Sequence, residues 1–217
     1  MNYILGNIGE NYKLKASSDS PLLVYAGDLD ENKTHDLVLS KEYKGEYVPI
    51  RGKECSTEQL PFIQEKYESY QEYASSSLLD IYGSDNLSDT YKKSVTTMRS
   101  IILVNEGDFN FSVQKLPVEM QSFPVRDVLS IDLNHDNLED LIAIGTIYDT
   151  EVETPRLDGG SGIVLLNKGG SYELDIQAYY LYISGDLRSI DLIERSNEGE
   201  RMAIVLRNDD TPAMVRL

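Results

Sequence analysis

The chain has 217 residues with 20 basic and 37 acidic side chains, and its formal charge of −17 argues against a nucleic-acid backbone or an anionic membrane as main partner. A hydrophobic fraction of 41% is ordinary for a globular protein, so disorder is not the default, and the length suffices for a sizeable core. One cysteine, Cys55, and two histidines, His35 and His135, exclude an internal disulfide and a cysteine zinc cluster, and leave little for a histidine-based site. No apolar run approaches the roughly 18 residues of a membrane span, and the N-terminus lacks a signal-peptide pattern.

The first element, "YILGN" (3–7), resembles "IAIGT" (142–146), which follows an acidic loop further on. The chain is therefore expected to start inside a repeat, as a piece of a longer array. Next comes "LVYAGDLDENKTHDLVLS" (23–40), an apolar segment, an acidic loop and a second apolar segment. Residues 56–98 break the pattern. Leu60, Ile63, Tyr67 and Tyr70, then Leu78, Leu79 and Tyr82, recur at helical spacing. Two or three short amphipathic helices are expected, starting near Ser56 or after Pro61 and stopping at Gly83, with their tyrosines packed inward rather than exposed as a ligand platform.

"ILVNEGDFNFSVQKL" (102–116) reads as a hairpin with a tight turn over Asn-x-Gly, and "VLLNKGGSYELDIQA" (164–178) repeats it. Between them lies "VLSIDLNHDNLEDLIAIG" (128–145), a second copy of the acidic pattern, and "LRSIDLIERSNEGERMAIVL" (187–206) is a weaker third. Leu103 to Leu165 is 62 residues and Asp132 to Asp191 is 59. A period near 60 with several short strands per repeat points to β-propeller blades. The expected fold is all-β, with about three propeller-type repeat units and a small helical insertion. It divides into a first blade region over 1–55, the insertion over 56–98 and two further blades over 99–217.

In the two full acidic loops, Asp28, Asp30, Asn32 and Asp36, and then Asp132, Asn134, Asp136 and Asp140, occupy positions 1, 3, 5 and 9. Backbone carbonyls at position 7 come from Thr34 and Leu138. Alternating oxygen ligands converge on one point, which suits a hard cation wanting about six to eight oxygens. An EF-hand is excluded, because position 12 is Leu39 or Ala143 instead of glutamate, and strands rather than helices flank the loops. The glycine usual at position 6 is replaced by Lys33 and Asn137, of which asparagine tolerates a left-handed backbone better. Two structural Ca2+ sites are expected. None is expected at Asp191, which lacks the later acidic positions.

These loops, the "LLN-x-G" hairpins and the period near 60 resemble FG-GAP/VCBS repeats, the integrin-type propeller repeats. "ILGNIGENYKLKAS", "YAGDLDENKTHDLVL", "QLPFIQEKYESYQEYA" and "EVETPRLDGGSGIVLLN" are similar to the C-terminal part of large bacterial surface proteins of the ASPIC/UnbV-associated type. The resemblance covers nearly the whole chain. It implies calcium at the eight side chains named above and a protein or glycan partner at the cell envelope. It also implies an extracellular or outer-membrane location.

The best candidate for chemistry is "YDTEVETPRLDGGSG" (148–162), with Glu151, Glu153, Arg156 and Asp158. A glycoside hydrolase uses two carboxylates about 5–9 Å apart. The plainer reading is a long blade loop held by Arg156 pairing with Asp158 or Glu153. "GGSG" lacks the Lys-Ser of a phosphate-binding loop, and Cys55 is read as incidental. The reading that results is non-catalytic: a binding or scaffold module with no nucleic-acid partner and no membrane insertion.

Overall fold

Short alternating apolar segments, each closed by a turn, make antiparallel sheets of the computed structural model, which describes residues 2–151, 154–175, 181–194 and 201–217. The chain forms two compact units, Leu14–Thr97 and Met1–Lys13 with Met98–Leu217.

In the 14–97 unit, β2 (Leu22–Gly27), β3 (Asp36–Tyr43), β4 (Glu46–Pro49) and β5 (Tyr91–Val95) form one sheet in the order β4-β3-β2-β5. Five short helices lie between β4 and β5: α1 (Lys53–Gln59), α2 (Phe62–Lys66), α3 (Tyr70–Ala74), α4 (Leu78–Tyr82) and α5 (Ser84–Ser88). The helical stretch expected over 56–98 thus starts earlier, and its last part is a strand paired with β2 from Leu22↔Val95 to Ala26↔Tyr91. Ser56 lies inside α1. The side-chain caps are Ser69 and Ser77, each in a reciprocal capping box, with Glu72 and Asp80 respectively. Gly83, at φ +83°, ends α4 as the spacing suggests.

Leu60, Ile63, Tyr67, Leu78 and Tyr82 pack with Leu23, Tyr25 and Val38 of the sheet in one core, while Tyr70 and Leu79 stay exposed. The Tyr73 hydroxyl donates to Ser56 Oγ at 2.8 Å. Burial pushes the Tyr73 and Tyr82 pKa values above the ordinary tyrosine range. Cys55 is free and exposed.

Among the described residues the other unit holds three sheets. The first joins β1 (Tyr3–Leu5) to β6 (Ile101–Gly107) and β7 (Asn110–Lys115), in the order β1-β6-β7. The second is β8 (Asp127–Ile131), β9 (Asp140–Ile147), β10 (Leu157–Asn167) and β11 (Tyr172–Leu174), consecutive neighbours in space. The third is β12 (Asp186–Glu194), β13 (Arg201–Asn208) and β14 (Ala213–Arg216). Residues 1–55 therefore do not share one sheet, because β1 belongs with β6 and β7. The likeness of "YILGN" to "IAIGT" is structural as well: β1 stands to β6 and β7 as β9 stands to β10 and β11. At the base of the 14–97 segment the returning chain is stitched to the outgoing one. Gly9 N donates to Met98 O at 2.8 Å, and Arg99 pairs with Glu10 at 3.1 Å.

Side chains of a strand alternate between faces, and β9 is buried on both. Leu141 and Ala143 join Ile102, Ile4 and Val104 in a core between the first and second sheets. Ile142 and Ile144 join Leu187, Ala203 and Val205 in a core between the second and third. That is why "LIAIG" is continuously apolar rather than alternating.

Gly145 lets the backbones meet: a Cβ there would lie 1.9 Å from Pro124 O. Gly6, its counterpart after β1, is equally close-packed, at 2.3 Å from Val125 O. The segment between them is hydrogen-bonded to both sheets, Val125 N to Asn7 O and Arg126 N to Ile144 O. The β6–β7 turn falls on Asp108 and Phe109, at φ +48° and +60°, not over Asn-x-Gly. Asn105 Oδ1 instead accepts Gly107 N at 2.9 Å, and Asn167 Oδ1 accepts Gly169 N at the same distance. The repeated Asn-x-Gly is thus a side-chain-closed turn of the backbone in both hairpins.

Candidate metal-binding loops

Each acidic loop connects two paired strands, β2 to β3 and β8 to β9, and the two have the same internal frame. Position 1 receives two backbone N–H groups. Asn32 N and Lys33 N donate to Asp28 at 3.0 and 2.8 Å. Asp136 N and Asn137 N donate to Asp132 at 3.1 and 3.0 Å. Position 5 receives the N–H of position 7, Thr34 N to Asn32 at 2.7 Å and Leu138 N to Asp136 at 2.9 Å. Position 9 accepts from position 2, Leu29 N to Asp36 at 3.0 Å and Leu133 N to Asp140 at 2.9 Å.

Positions 4 and 6 are left-handed in both loops: Glu31 and Lys33 at +60° and +70°, His135 and Asn137 at +62° and +69°. Lysine at position 6 thus adopts the same backbone as asparagine, although such a conformation costs a non-glycine residue more. Two N–H groups held by the position-1 carboxylate are the visible compensation.

Asp36 and Asp140 are buried, while Asp28, Asn32, Asn134 and Asp136 are exposed and Asp30 and Asp132 lie between. The buried pair reaches beyond its own loop. Asp36 Oδ1 accepts from Gln59 Nε2 of α1 at 3.3 Å. Asp140 Oδ1 accepts Asn167 N at 2.9 Å, and Asn167 Nδ2 donates back to Glu139 O at 3.1 Å. Periodicity gave no hint of the Asn167 partnership, for it joins residues at opposite ends of two strands. Arg201 Nη1 donates to Asp132 O at 2.6 Å, tying β13 to the second loop. Tyr172, half-buried nearby, has its pKa pushed up first by burial and then by the carboxylates of Asp140 and Glu139.

Asp28, Asp30 and Asp36 each bring one carboxylate oxygen within 4.8 Å of the others. Oxygens sharing a calcium ion at about 2.3–2.6 Å can stand no more than roughly 5 Å apart, so this triad fits such an ion. In the second loop position 3 is Asn134, and its acids at positions 1, 5 and 9 are not gathered so closely; among the described residues the first loop alone has that carboxylate convergence. The second offers Asp132, Asn134 and Asp136 oxygens on the same frame, with Asp140 already taken by two backbone N–H groups.

The third copy differs. Asp191 lies inside β12, which continues pairing with β13 as far as Glu194↔Arg201, so no acidic loop follows it directly. The segment 148–162 is not one long loop, since β10 begins at Leu157 and takes Asp158 and the glycines into the sheet opposite β9. Arg156 lies over the Tyr148 ring at 4.8 Å instead of pairing with Asp158. Glu151 is exposed and its carbonyl accepts Thr154 N at 2.8 Å; Glu153 lies outside the described residues.

Comparison with protein-family models, curated proteins and solved structures found no match to this chain.

Proposed function

We propose that the chain is a non-catalytic binding or scaffold module of propeller-type blades, of the FG-GAP/VCBS kind, stabilised by Ca2+ in its acidic loops and serving a protein or glycan interaction at a bacterial cell surface. The observation that carries this reading is the doubled loop frame. Two stretches 104 residues apart share the same hydrogen bonds and the same left-handed positions, between strands that build separate cores. An acidic surface turn has no reason to be reproduced in that detail. Asp28, Asp30, Asn32 and Asp36, with the Thr34 carbonyl, would hold one ion; Asp132, Asn134, Asp136 and Asp140, with the Leu138 carbonyl, would hold the other. A bound cation would turn the repulsion among each loop's carboxylates into attraction, and its role would be structural.

The test is thermal unfolding after chelation, with and without millimolar Ca2+. At 100-fold excess over the dissociation constant, one site adds about 2.7 kcal/mol. For a chain of this size that raises Tm by about 5–10 °C. Asp28→Ala and Asp132→Ala should each remove one site's share, and Mg2+ should substitute poorly because a loop with this many protein oxygens suits the larger ion. An unchanged Tm on adding Ca2+ would end the calcium reading.

A further inference from the structure

The contact between the second and third sheets has a specific lock. Asp127, which opens β8, points its Oδ2 at the first strand of the next sheet, accepting from Ser189 Oγ at 2.6 Å and Ile190 N at 2.9 Å. Ser189 and Ile190 belong to "DLRSIDL" (186–192), which repeats "DVLSIDL" (127–133) at five of seven positions. The aspartate that opens one sheet thus grips the Ser-Ile of the following one.

The same device is one partner short on the other side of the second sheet. Ser130 and Ile131 are the Ser-Ile of β8, and among the described residues no carboxylate from the first sheet reaches them; Ser130 Oγ donates to Glu139 of its own sheet at 3.2 Å. The first sheet holds β1, β6 and β7, the counterparts of β9, β10 and β11, and has no counterpart of β8 among the described residues. In its place is a groove of about 840 Å3, lined by Asn2, Tyr3 and Ile4 of the β1 side and by Asp127, Val128 and Ser130 of the β8 side. β1 is an edge strand there, with Tyr3 and Leu5 both about half exposed at 46% and 45%. An open edge of this kind is a template for one more strand. At the far end of the stack Asp186, the counterpart of Asp127, is buried, and its Oδ1 has no hydrogen-bond partner.

We propose that this groove is a strand-docking site whose occupant is an extended segment of the Asp-x-x-Ser-Ile-Asp type. The segment adds to the free edge of β1, as in β-augmentation, and hands its leading carboxylate to Ser130 Oγ and Ile131 N. Its apolar residues alternate, one set entering the core that Ile4, Ile102 and Val128 line. A second copy of the chain is a poor donor, because its own Asp127 and Asp186 strands are engaged in their sheets. The proposal rests on the reading of the sheets as successive blades, and it does not depend on the metal.

The probe is the synthetic peptide Asp-Val-Leu-Ser-Ile-Asp-Leu added to the full chain, with amide hydrogen exchange followed at Tyr3–Leu5, in chelator and again in Ca2+. At saturation, exchange at those amides is expected to slow at least tenfold. Replacing the peptide's first aspartate by alanine should weaken binding about tenfold, and so should Ser130→Ala in the protein, whose exposed position leaves folding intact. Equal binding of the alanine peptide overturns the proposal, as does a peptide that leaves these amides unprotected at millimolar concentration. Protection that grows with protein concentration without peptide would name a second copy as occupant and overturn it too. Docking without a Ca2+ effect on Tm would remove only the calcium reading. A Ca2+ effect without docking would remove only this one.

Discussion

Asp140 separates the loop's architecture from its capacity for an ion. Its side chain is fully buried and accepts two backbone N–H groups, Leu133 N and Asn167 N, both at 2.9 Å. Asp140→Ala leaves both donors, which belong to half-buried residues, without the wholly buried carboxylate that accepts from them. Each such group costs about 1–3 kcal/mol, so the loss is about 4 kcal/mol for the pair. For a chain of this length that corresponds to a Tm lower by about 8–16 °C. Asp136→Ala removes the acceptor of Leu138 N and of Asn134 Nδ2 in an exposed turn, where water can take its place, and should cost less than about 1 kcal/mol.

The assay is urea and thermal unfolding in chelator, so that no bound ion contributes. It should follow probes in the 98–217 segment, since two compact units need not unfold in one step. An Asp140→Ala protein melting within 3 °C of the wild type (about 1 kcal/mol), or an Asp136→Ala protein equally destabilised, would refute the claim that Asp140 is an anchor before it is a ligand.

Gly145→Ala drives a Cβ to 1.9 Å from Pro124 O, a contact with backbone that no rotamer relieves, and is expected to cost at least about 3 kcal/mol in the same unfolding assay; a loss under about 1 kcal/mol would show that the segment shifts freely. Tyr73 and Tyr82 have raised pKa values, so the fold favours their neutral form. Their contribution to stability is complete below pH 10.0, the ordinary value, and is lost as pH rises toward and through their folded values. Absorbance at about 295 nm should accordingly show Tyr73 and Tyr82 ionising above the ordinary tyrosine range, after the exposed tyrosines. A single titration of all of them near the ordinary value would contradict the burial.

The acidic loops were legible because their chemistry is local: ligand-type residues at alternate positions, between apolar runs, need no knowledge of what lies opposite. The strand nature of β9 was legible for the same reason. Partnerships were not. Nothing in "YILGN" says that it pairs with Ile101–Leu103, because periodicity reports which face a side chain takes and not the strand beside it. The stretch expected to be helical takes in Tyr91–Val95, although its β-branched and aromatic ends are those of an edge strand in which two lysines sit. The polar run 148–162 places Asp158 in a long loop on sequence grounds. Here Gly160 sits opposite Gly145 in the sheet, where a Cβ would lie 1.9 Å from its carbonyl oxygen. The position-9 aspartates read as ligands from their place in the loop, and spacing cannot show that Gln59 Nε2 and Asn167 N, from other elements, already donate to Asp36 and Asp140.

The stitching of Gly9 to Met98 and of Arg99 to Glu10 bears on how the chain folds. β1 waits for a partner almost 100 residues downstream, and closing so long a flexible loop would be slow and entropically costly. A segment that folds first on its own contacts removes most of that flexibility, so the search for β6 becomes the zipping of a short seam rather than a long-range encounter. The inserted unit then acts on its host as a clasp: its own stability sets how readily the first sheet forms, and damage to the helical core of 14–97 would be felt first as a slower pairing of β1 in a sheet it does not belong to.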